Sequence, residues 1–294
     1  MRPDSLLLFL GPPKAGSTFF YDALRHHAEV STAPAKELFY FDRFHQRGED
    51  WYFGQFTPAK VYLDCSHDYL FSAAAADRVR ALRGVRKVGV VVLRDPLDRA
   101  VSAVSYLRWQ GRTNLGFHDA VGQIEEILGH GDYGRWIPKW RDALGEGLQL
   151  VDFAKLVSGE SQAINEILCS VDCLPISDDD LPANRNASRE SRVPPPVMRV
   201  ARRSGDLLRR VGLSRVQSTA KDFAVGSKFL NKERKRDPLL ELSSDQRISL
   251  HENLLRMASR AEDEVDTDLI SAWRSNWSSR LIDDTLSDRE PVRP

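Results

Sequence analysis

The stretch LLLFLGPPKAGSTFFYDAL, from Leu6 to Leu24, constrains the fold more than any other part of the chain. Leu6, Leu7, Leu8, Phe9 and Leu10 form an unbroken apolar run, the pattern of a parallel strand buried on both faces. The run passes directly into GPPKAGST and then into a segment with Phe19, Phe20, Ala23 and Leu24 at helical spacing. A strand, a tight loop and a helix in that order aim the unpaired N–H groups of the helix start, and the positive end of its dipole, at whatever lies above the strand. Gly11 and Gly16 permit a sharp bend close to a ligand, Lys14 puts a positive charge in the loop, and Ser17 and Thr18 add hydroxyl donors. The junction predicts a phosphate site.

Gly11 and Gly16 keep the spacing of a Walker A loop, but Ser17 follows the second glycine and the lysine stands earlier, at Lys14. That displacement weakens a triphosphate-hydrolysing reading. PKAGST resembles instead the 5′-phosphosulfate-binding loop of sulfotransferases, which use 3′-phosphoadenylyl sulfate (PAPS). The resemblance implies that Pro13, Lys14, Ala15, Gly16, Ser17 and Thr18 bind the donor and that Lys14 also stabilises the charge on its leaving oxygen. A second strand, loop and helix follow in KVGVVVLRDPLDRAVSAVSYLRWQG, residues 87 to 111, with Val88, Val90, Val91, Val92 and Leu93 apolar before the break at Asp95 and Pro96. Arg94 and Ser102, eight residues apart, resemble the sulfotransferase pair that holds the nucleotide's 3′-phosphate. Arginine suits that task because its planar fork meets phosphate oxygens in pairs.

Residues 33 to 56, APAKELFYFDRFHQRGEDWYFGQF, mix aromatics and charges. Phe39, Tyr40, Phe41, Phe44, Trp51, Tyr52, Phe53 and Phe56 read mostly as core. A carboxylate entering such a segment loses water, which raises its pKa and suits it to accept a proton, so Glu37 is a candidate general base. KELFYFD with Gly48, Trp51 and Tyr52 after it resembles the corresponding segment of heparan sulfate sulfotransferases, whose general base falls on Glu37 and in whose 3-O-sulfating members a further active-site acid falls on Asp42. Two departures stand out. Phe39 occupies the position of a histidine in the 3-O-sulfating enzymes, and LDCSHDYLF puts Asp64 and Cys65 where the family has glutamate and a lysine beside the sulfuryl group, while Ser66 and Tyr69 are kept. His67, Lys36 or an arginine must then supply the missing cation, and the acceptor is expected to differ from heparan sulfate.

Downstream, the pattern predicts a helix through Leu128, a second from about Tyr133 to Leu144, a strand at Leu148 to Val151 and a helix ending near Val171. Trp136, Trp140 and Arg141 read as core or surface by default, and Trp136 is retained as an acceptor-stacking candidate. Residues 185 to 236 carry fifteen Lys or Arg against four acids, a balance of +11. This basic cover segment is either a solvated surface or a contact for nucleotide, anionic acceptor or lipid headgroups, the last through residues 197 to 215. Ser243 or Ser244 is placed to cap a late amphipathic helix, DLISAW resembles the closing segment of bacterial sulfotransferases, and residues 278 to 294 are expected to be disordered.

The whole chain of 294 residues has no net charge, so no general affinity for nucleic acid is expected. It has no apolar stretch near the ~20 residues of a membrane span and no leader pattern, which predicts a soluble, cytoplasmic protein. Three cysteines without a C-x-x-C pair predict neither a disulfide framework nor a zinc site. The fold class expected is α/β: one P-loop-like, three-layer domain over residues 1 to 277, with a mostly parallel sheet between helices. The function expected is PAPS-dependent sulfuryl transfer to a hydroxyl or amine of a carbohydrate, glycolipid or secondary metabolite, with Glu37 and Lys14 catalytic and Lys36, Asp42, His67 and Trp136 near the acceptor. No metal is required. The alternatives are a small-molecule or nucleotide kinase, with Asp64 as its metal-binding acid, and a nucleotide-binding regulator without turnover.

Overall fold

In the computed structural model, which describes residues 2–182, 189–191, 231–233 and 237–283, β1 (Ser5–Gly11) leads through the glycine loop into α1 (Ser17–Leu24). There follow β2 (Val30–Thr32), α2 (Gly48–Phe53), β3 (Val61–Asp64), α3 (Ala73–Ala81), β4 (Arg86–Leu93) and α4 (Pro96–Trp109). The next elements are α5 (Phe117–Gln123), α6 (Glu126–Gly129), α7 (Tyr133–Leu144), β5 (Leu148–Asp152), α8 (Phe153–Leu156) and α9 (Gln162–Ser170). Two short strands, β6 (Arg189–Ser191) and β7 (Asn231–Glu233), precede α10 (Ser244–Ala261) and α11 (Thr267–Leu281).

β1 pairs with β3 and β4, β2 with β3, and β4 with β5, all parallel, giving the order β2-β3-β1-β4-β5. From β1 the chain steps to one side of the sheet and then returns to the other, so the winding reverses between β1 and β4. A crevice opens at that switch point, beyond the carboxyl ends of the two strands. The glycine loop after β1 and Arg94 after β4 border it.

Side chains alternate across the sheet as a strand requires. Leu7, Phe9, Val88, Val90 and Val92 pack with Phe19, Phe20 and Leu24 of α1 and Ile164, Ile167 and Leu168 of α9. Leu6, Leu8, Leu10, Val91 and Leu93 face the other way, toward a larger cluster that holds Trp140 of α7, Leu254 of α10 and Trp277 of α11. Gly89 makes this layer possible, since a Cβ there would lie 2.4 Å from Leu144 Cδ1. The three-layer α/β expectation holds, with the five-stranded sheet parallel throughout.

Two segments depart from the sequence reading. The helix expected through Leu128 breaks at Ile124, whose backbone is extended between α5 and α6. Beyond the break, the buried Arg99 guanidinium of α4 donates to the carbonyls of Glu126 and Ile127, and so ties α6 to α4. The disorder expected over 278 to 294 is corrected at its start, where α11 runs to Leu281 because Ile270, Trp273, Trp277 and Leu281 form a buried stripe at helical spacing; residues 284 to 294 lie outside the described residues. Ser243 caps α10 as expected, in a capping box with Gln246.

Cys65 and Cys173 are buried, Cys169 is exposed, and none is paired. Among the described residues no helix is long and apolar enough to cross a membrane. The cover segment 185–236, and with it the 197–215 stretch, lies outside the described residues except for β6 and β7, which pair antiparallel.

Candidate active site

Lys14 and Gly16 take left-handed backbone angles, with φ of 70° and 84°. Such bends turn successive N–H groups of the loop inward, ahead of α1. Gly11 is required for a different reason: a Cβ on it would lie 2.4 Å from the His67 carbonyl oxygen. Ala15 is fully buried against the sheet and Pro13 has no N–H, so these two shape the loop while Lys14, Gly16, Ser17 and Thr18 face its mouth with polar groups. The Lys14 ammonium lies 4.2 Å from the centre of the Tyr106 ring on α4. Burial, with the nearby charges of Arg94 and Lys36, lowers the Lys14 pKa to about 8. Three cations thus converge on one loop, an arrangement that calls for an anion among them.

On the β4 side, Arg94 donates to the Lys14 carbonyl at 2.5 Å and stacks 4.6 Å from the Phe153 ring centre. Its backbone is clamped by one hydroxyl, since Tyr133 OH accepts from Arg94 N at 2.9 Å and donates to Arg94 O at 2.8 Å. Asp95 caps α4 through Leu97 N at 2.7 Å and is itself gripped by Asn276 and Trp277 of α11. Ser102 lies one helical turn before Tyr106 on α4, which puts both on the face turned to the glycine loop.

On the β1–β3 side, Ser66 fastens the 36–42 loop. Its hydroxyl accepts from Leu38 N at 2.9 Å and Phe39 N at 2.8 Å and donates to Asp64 Oδ1 at 2.5 Å. Asp64 Oδ2 accepts from Tyr69 at 2.8 Å and Tyr52 at 3.1 Å. Burial raises the Asp64 pKa to about 6 against these three bonds. Asp64 is therefore the buried anchor of the loop rather than a metal ligand, and the kinase alternative loses the acid it needs. Phe39, in the place of the histidine, sits at φ 51° with Arg43 stacked on its ring at 4.1 Å.

The anchored loop presents Lys36 and Glu37 across the mouth. Lys36 Nζ donates to Ser17 Oγ and Thr18 Oγ1, both at 3.1 Å, and lies 3.4 Å from Glu37 Oε1. Lys36 thus touches the donor loop while standing beside Glu37. His67 Nδ1 is 3.6 Å from Glu37 Oε1, and burial lowers the His67 pKa, so the ring is neutral at neutral pH. Asp42 pairs with Arg43 at 3.2 Å, and burial raises its pKa to about 6. Asp42 thus shows the desolvation expected of a carboxylate entering this aromatic segment. Arg43 also pairs with Asp68, which reaches His67 at 3.5 Å.

Trp136 stands apart, donating to Gly129 O at 2.9 Å and meeting Phe71 edge-on at 5.4 Å. Phe71 stacks flat on His130 at 3.6 Å, so Trp136, Phe71 and His130 form one aromatic group that no spacing in the sequence reveals. Tyr106, Tyr133 and Phe153 were also missed, because each meets the site from a different element.

Among the described residues, one other cluster has metal-ligating chemistry. His27, Glu29 and Cys173 bring donor atoms within 4.8 Å of one another. The imidazole already accepts from Glu29 N, which leaves Nε2 to donate to Leu174 O, and the Glu29 carboxylate takes Lys60 and Leu174 N. The ligand atoms are engaged in joining the α1–β2 turn to the end of α9.

A glycine loop at a switch point, faced by a carboxylate, makes an anion-seeking site on a P-loop-like α/β fold, and that fold is shared with a solved sulfotransferase. The crystal structure of a sulfotransferase from Alicyclobacillus acidocaldarius superposes with a TM-score of 0.60 over 93% of this chain and 99% of its own, at 19% identity. The chain is 34% identical over 113 residues to the bifunctional heparan sulfate N-deacetylase/N-sulfotransferase 1 of Xenopus laevis, covering 35% of this chain and 13% of that protein. Its human counterpart is 34% identical over 187 residues, 55% of this chain and 21% of its own length. The membrane-associated sulfotransferase kil1 of Dictyostelium discoideum is 27% identical over 112 residues, 36% of this chain and 24% of its own. The chain thus spans less than a quarter of the length of these curated relatives. No protein-family model matches it. The resemblance to the heparan sulfate sulfotransferase domain, read from the sequence, stands.

Proposed function

We propose that this protein transfers a sulfuryl group from PAPS to a hydroxyl or amine of a small molecule, glycan or glycolipid. The carrying observation is the placement of Glu37 3.4 Å from Lys36, whose ammonium spans the two hydroxyls that open α1. A proton acceptor is thereby held beside an anion cradle. Backbone N–H groups of the loop, with Ser17 and Thr18, bind the 5′-phosphate, and Arg94 with Ser102 takes the 3′-phosphate. Glu37 receives the proton of the acceptor as its oxygen or nitrogen attacks sulfur in line. The bond from sulfur to the 5′-phosphate oxygen breaks, that oxygen keeps the electron pair, and Lys14 stabilises the charge gathering there. The products are the sulfated acceptor and 3′-phosphoadenosine 5′-phosphate (PAP).

Incubation with sulfur-labelled PAPS and extract of the source cells tests the proposal: label must move from PAPS into a new compound in a Glu37-dependent manner. PAPS binding with no transfer across a broad acceptor panel would favour the regulator instead. A chelator separates the kinase reading, since phosphoryl transfer stops without its metal ion.

A further inference from the structure

We infer that Lys36 is the donor-specificity residue of this site: it recognises the sulfuryl group itself, and so distinguishes PAPS from the spent nucleotide PAP. The inference rests on the PAPS reading above. Lys14, Arg94 and Lys36 all surround the glycine loop, but they approach it from different elements. Arg94 follows β4 and leans on Phe153 of α8, while the Lys14 ammonium lies over Tyr106 of α4, so both stand on the β4 side of the crevice. Lys36 comes from the opposite wall, on the loop that Ser66 fastens to the end of β3, and it shares that wall with Glu37 and His67.

Its position has a chemical consequence. Nζ bridges Ser17 Oγ and Thr18 Oγ1 at 3.1 Å each, in the first turn of α1, where an anion is drawn by the helix start. A neutral hydroxyl is a weaker acceptor than an anionic oxygen, so an arriving anion displaces at least one of these bonds. The oxygens nearest both Nζ and Glu37 are those of the group about to be transferred, because Glu37 must reach the acceptor atom that attacks it. Lys36 therefore holds the terminal oxygens of the donor on the acceptor side, and Lys14 the bridging oxygen on the nucleotide side. The half-buried Lys36 side chain, 20% exposed, is short of the solvent that would otherwise screen this contact.

PAP is a clean control. A phosphosulfate carries one negative charge on each of its two groups, whereas the 5′-phosphate of PAP carries nearly two on one group at neutral pH. The 5′ charge is similar and only its location differs. A lysine that merely attracts anions treats the two ligands alike, and one that touches the sulfuryl oxygens does not.

Calorimetric titration of the full chain with PAPS and with PAP, in wild type, Lys36→Met and Lys36→Gln, tests this. Gln keeps a donor for Ser17 and Thr18 and so guards the fold if Met does not; melting temperatures are recorded alongside. The expected result is that either neutral variant loses at least tenfold in PAPS affinity and less than about threefold in PAP affinity, while Lys36→Arg keeps most of the preference. Wild type that binds both ligands, with variants that weaken both equally or neither, overturns the role of Lys36 and leaves the PAPS reading standing. Wild type that binds neither ligand overturns the PAPS reading, and this inference with it.

Discussion

Glu37 and Lys14 differ in how directly their chemistry is written in their surroundings. Glu37→Gln keeps the shape of the side chain but cannot accept a proton, so the variant should fold, bind nucleotide normally and lose about 10²-fold or more in turnover. A variant with lowered melting temperature and unchanged rate would instead make Glu37 an anchor for Lys36 and leave Asp42 or His67 as the next base to test. Lys14, with its pKa lowered to about 8, is cationic below that pH and loses its charge as pH rises through it. PAP affinity should therefore fall above about pH 8, and titrations in Lys14→Ala should lack that alkaline limb. For the 3′-phosphate, Arg94→Ala with Ser102→Ala should erase the preference for a 3′-phosphorylated nucleotide over its dephospho form. An unchanged preference places that site elsewhere.

Between elements, the site is held by side chains that tie one strand end or helix start to another. Tyr133 is the clearest case: one hydroxyl on α7 satisfies both the N–H and the carbonyl of Arg94 at the end of β4. Tyr133→Phe leaves both backbone groups buried without that partner, which costs about 1–3 kcal/mol. The melting temperature should drop by several degrees and PAP affinity several-fold, since Arg94 loses its fixed direction. A variant that melts earlier yet binds PAP as wild type does would show that the side chain of Arg94 is positioned by Phe153 and Lys14 alone. Asp64 plays the matching part on the other wall, with Ser66, Tyr52 and Tyr69 converging on it from the 36–42 loop's own neighbours.

At the scale of the whole molecule, burial of Asp42, Asp64 and Asp95 among the described residues opposes the usual gain of stability with pH. Asp42 and Asp64 have folded-state pKa values raised from 3.8 to about 6, so the folded protein holds their protons more tightly than the unfolded chain does. Their contribution to stability is present below about pH 4 and is lost as pH rises through 6. Asp42 is the testable member, because it lies outside the Asp64–Ser66 anchor and pairs with Arg43. Asp42→Asn should gain stability relative to wild type at pH 7 but not at pH 4, by on the order of 2–3 kcal/mol in denaturant unfolding. An equal difference at both pH values would mean that Asp42 titrates normally.

β1, the glycine loop, α1 and β4 are legible in the chain alone, because each is specified by its neighbours: a continuous apolar run buries both faces of a strand, and a glycine-bearing turn into a helix start attracts an anion wherever it stands. Helix α7 and the Ser243 cap were legible for the same reason. The break at Ile124 and the extension of α11 to Leu281 are not: the α6 carbonyls beyond the break meet the buried Arg99 of α4, and the apolar stripe of α11 meets the core. The site divides in the same way. Lys14, Ser17, Thr18, Glu37 and Arg94 are legible in local motifs, whereas the contact of Lys36 with Ser17 and Thr18, the Tyr133 clamp, the Tyr106 and Phe153 rings and the Phe71–His130 stack arise from the packing of distant segments. Those contacts join residues far apart in the chain, and the order of strands at the sheet's switch point, which no local pattern contains, is what brings them together.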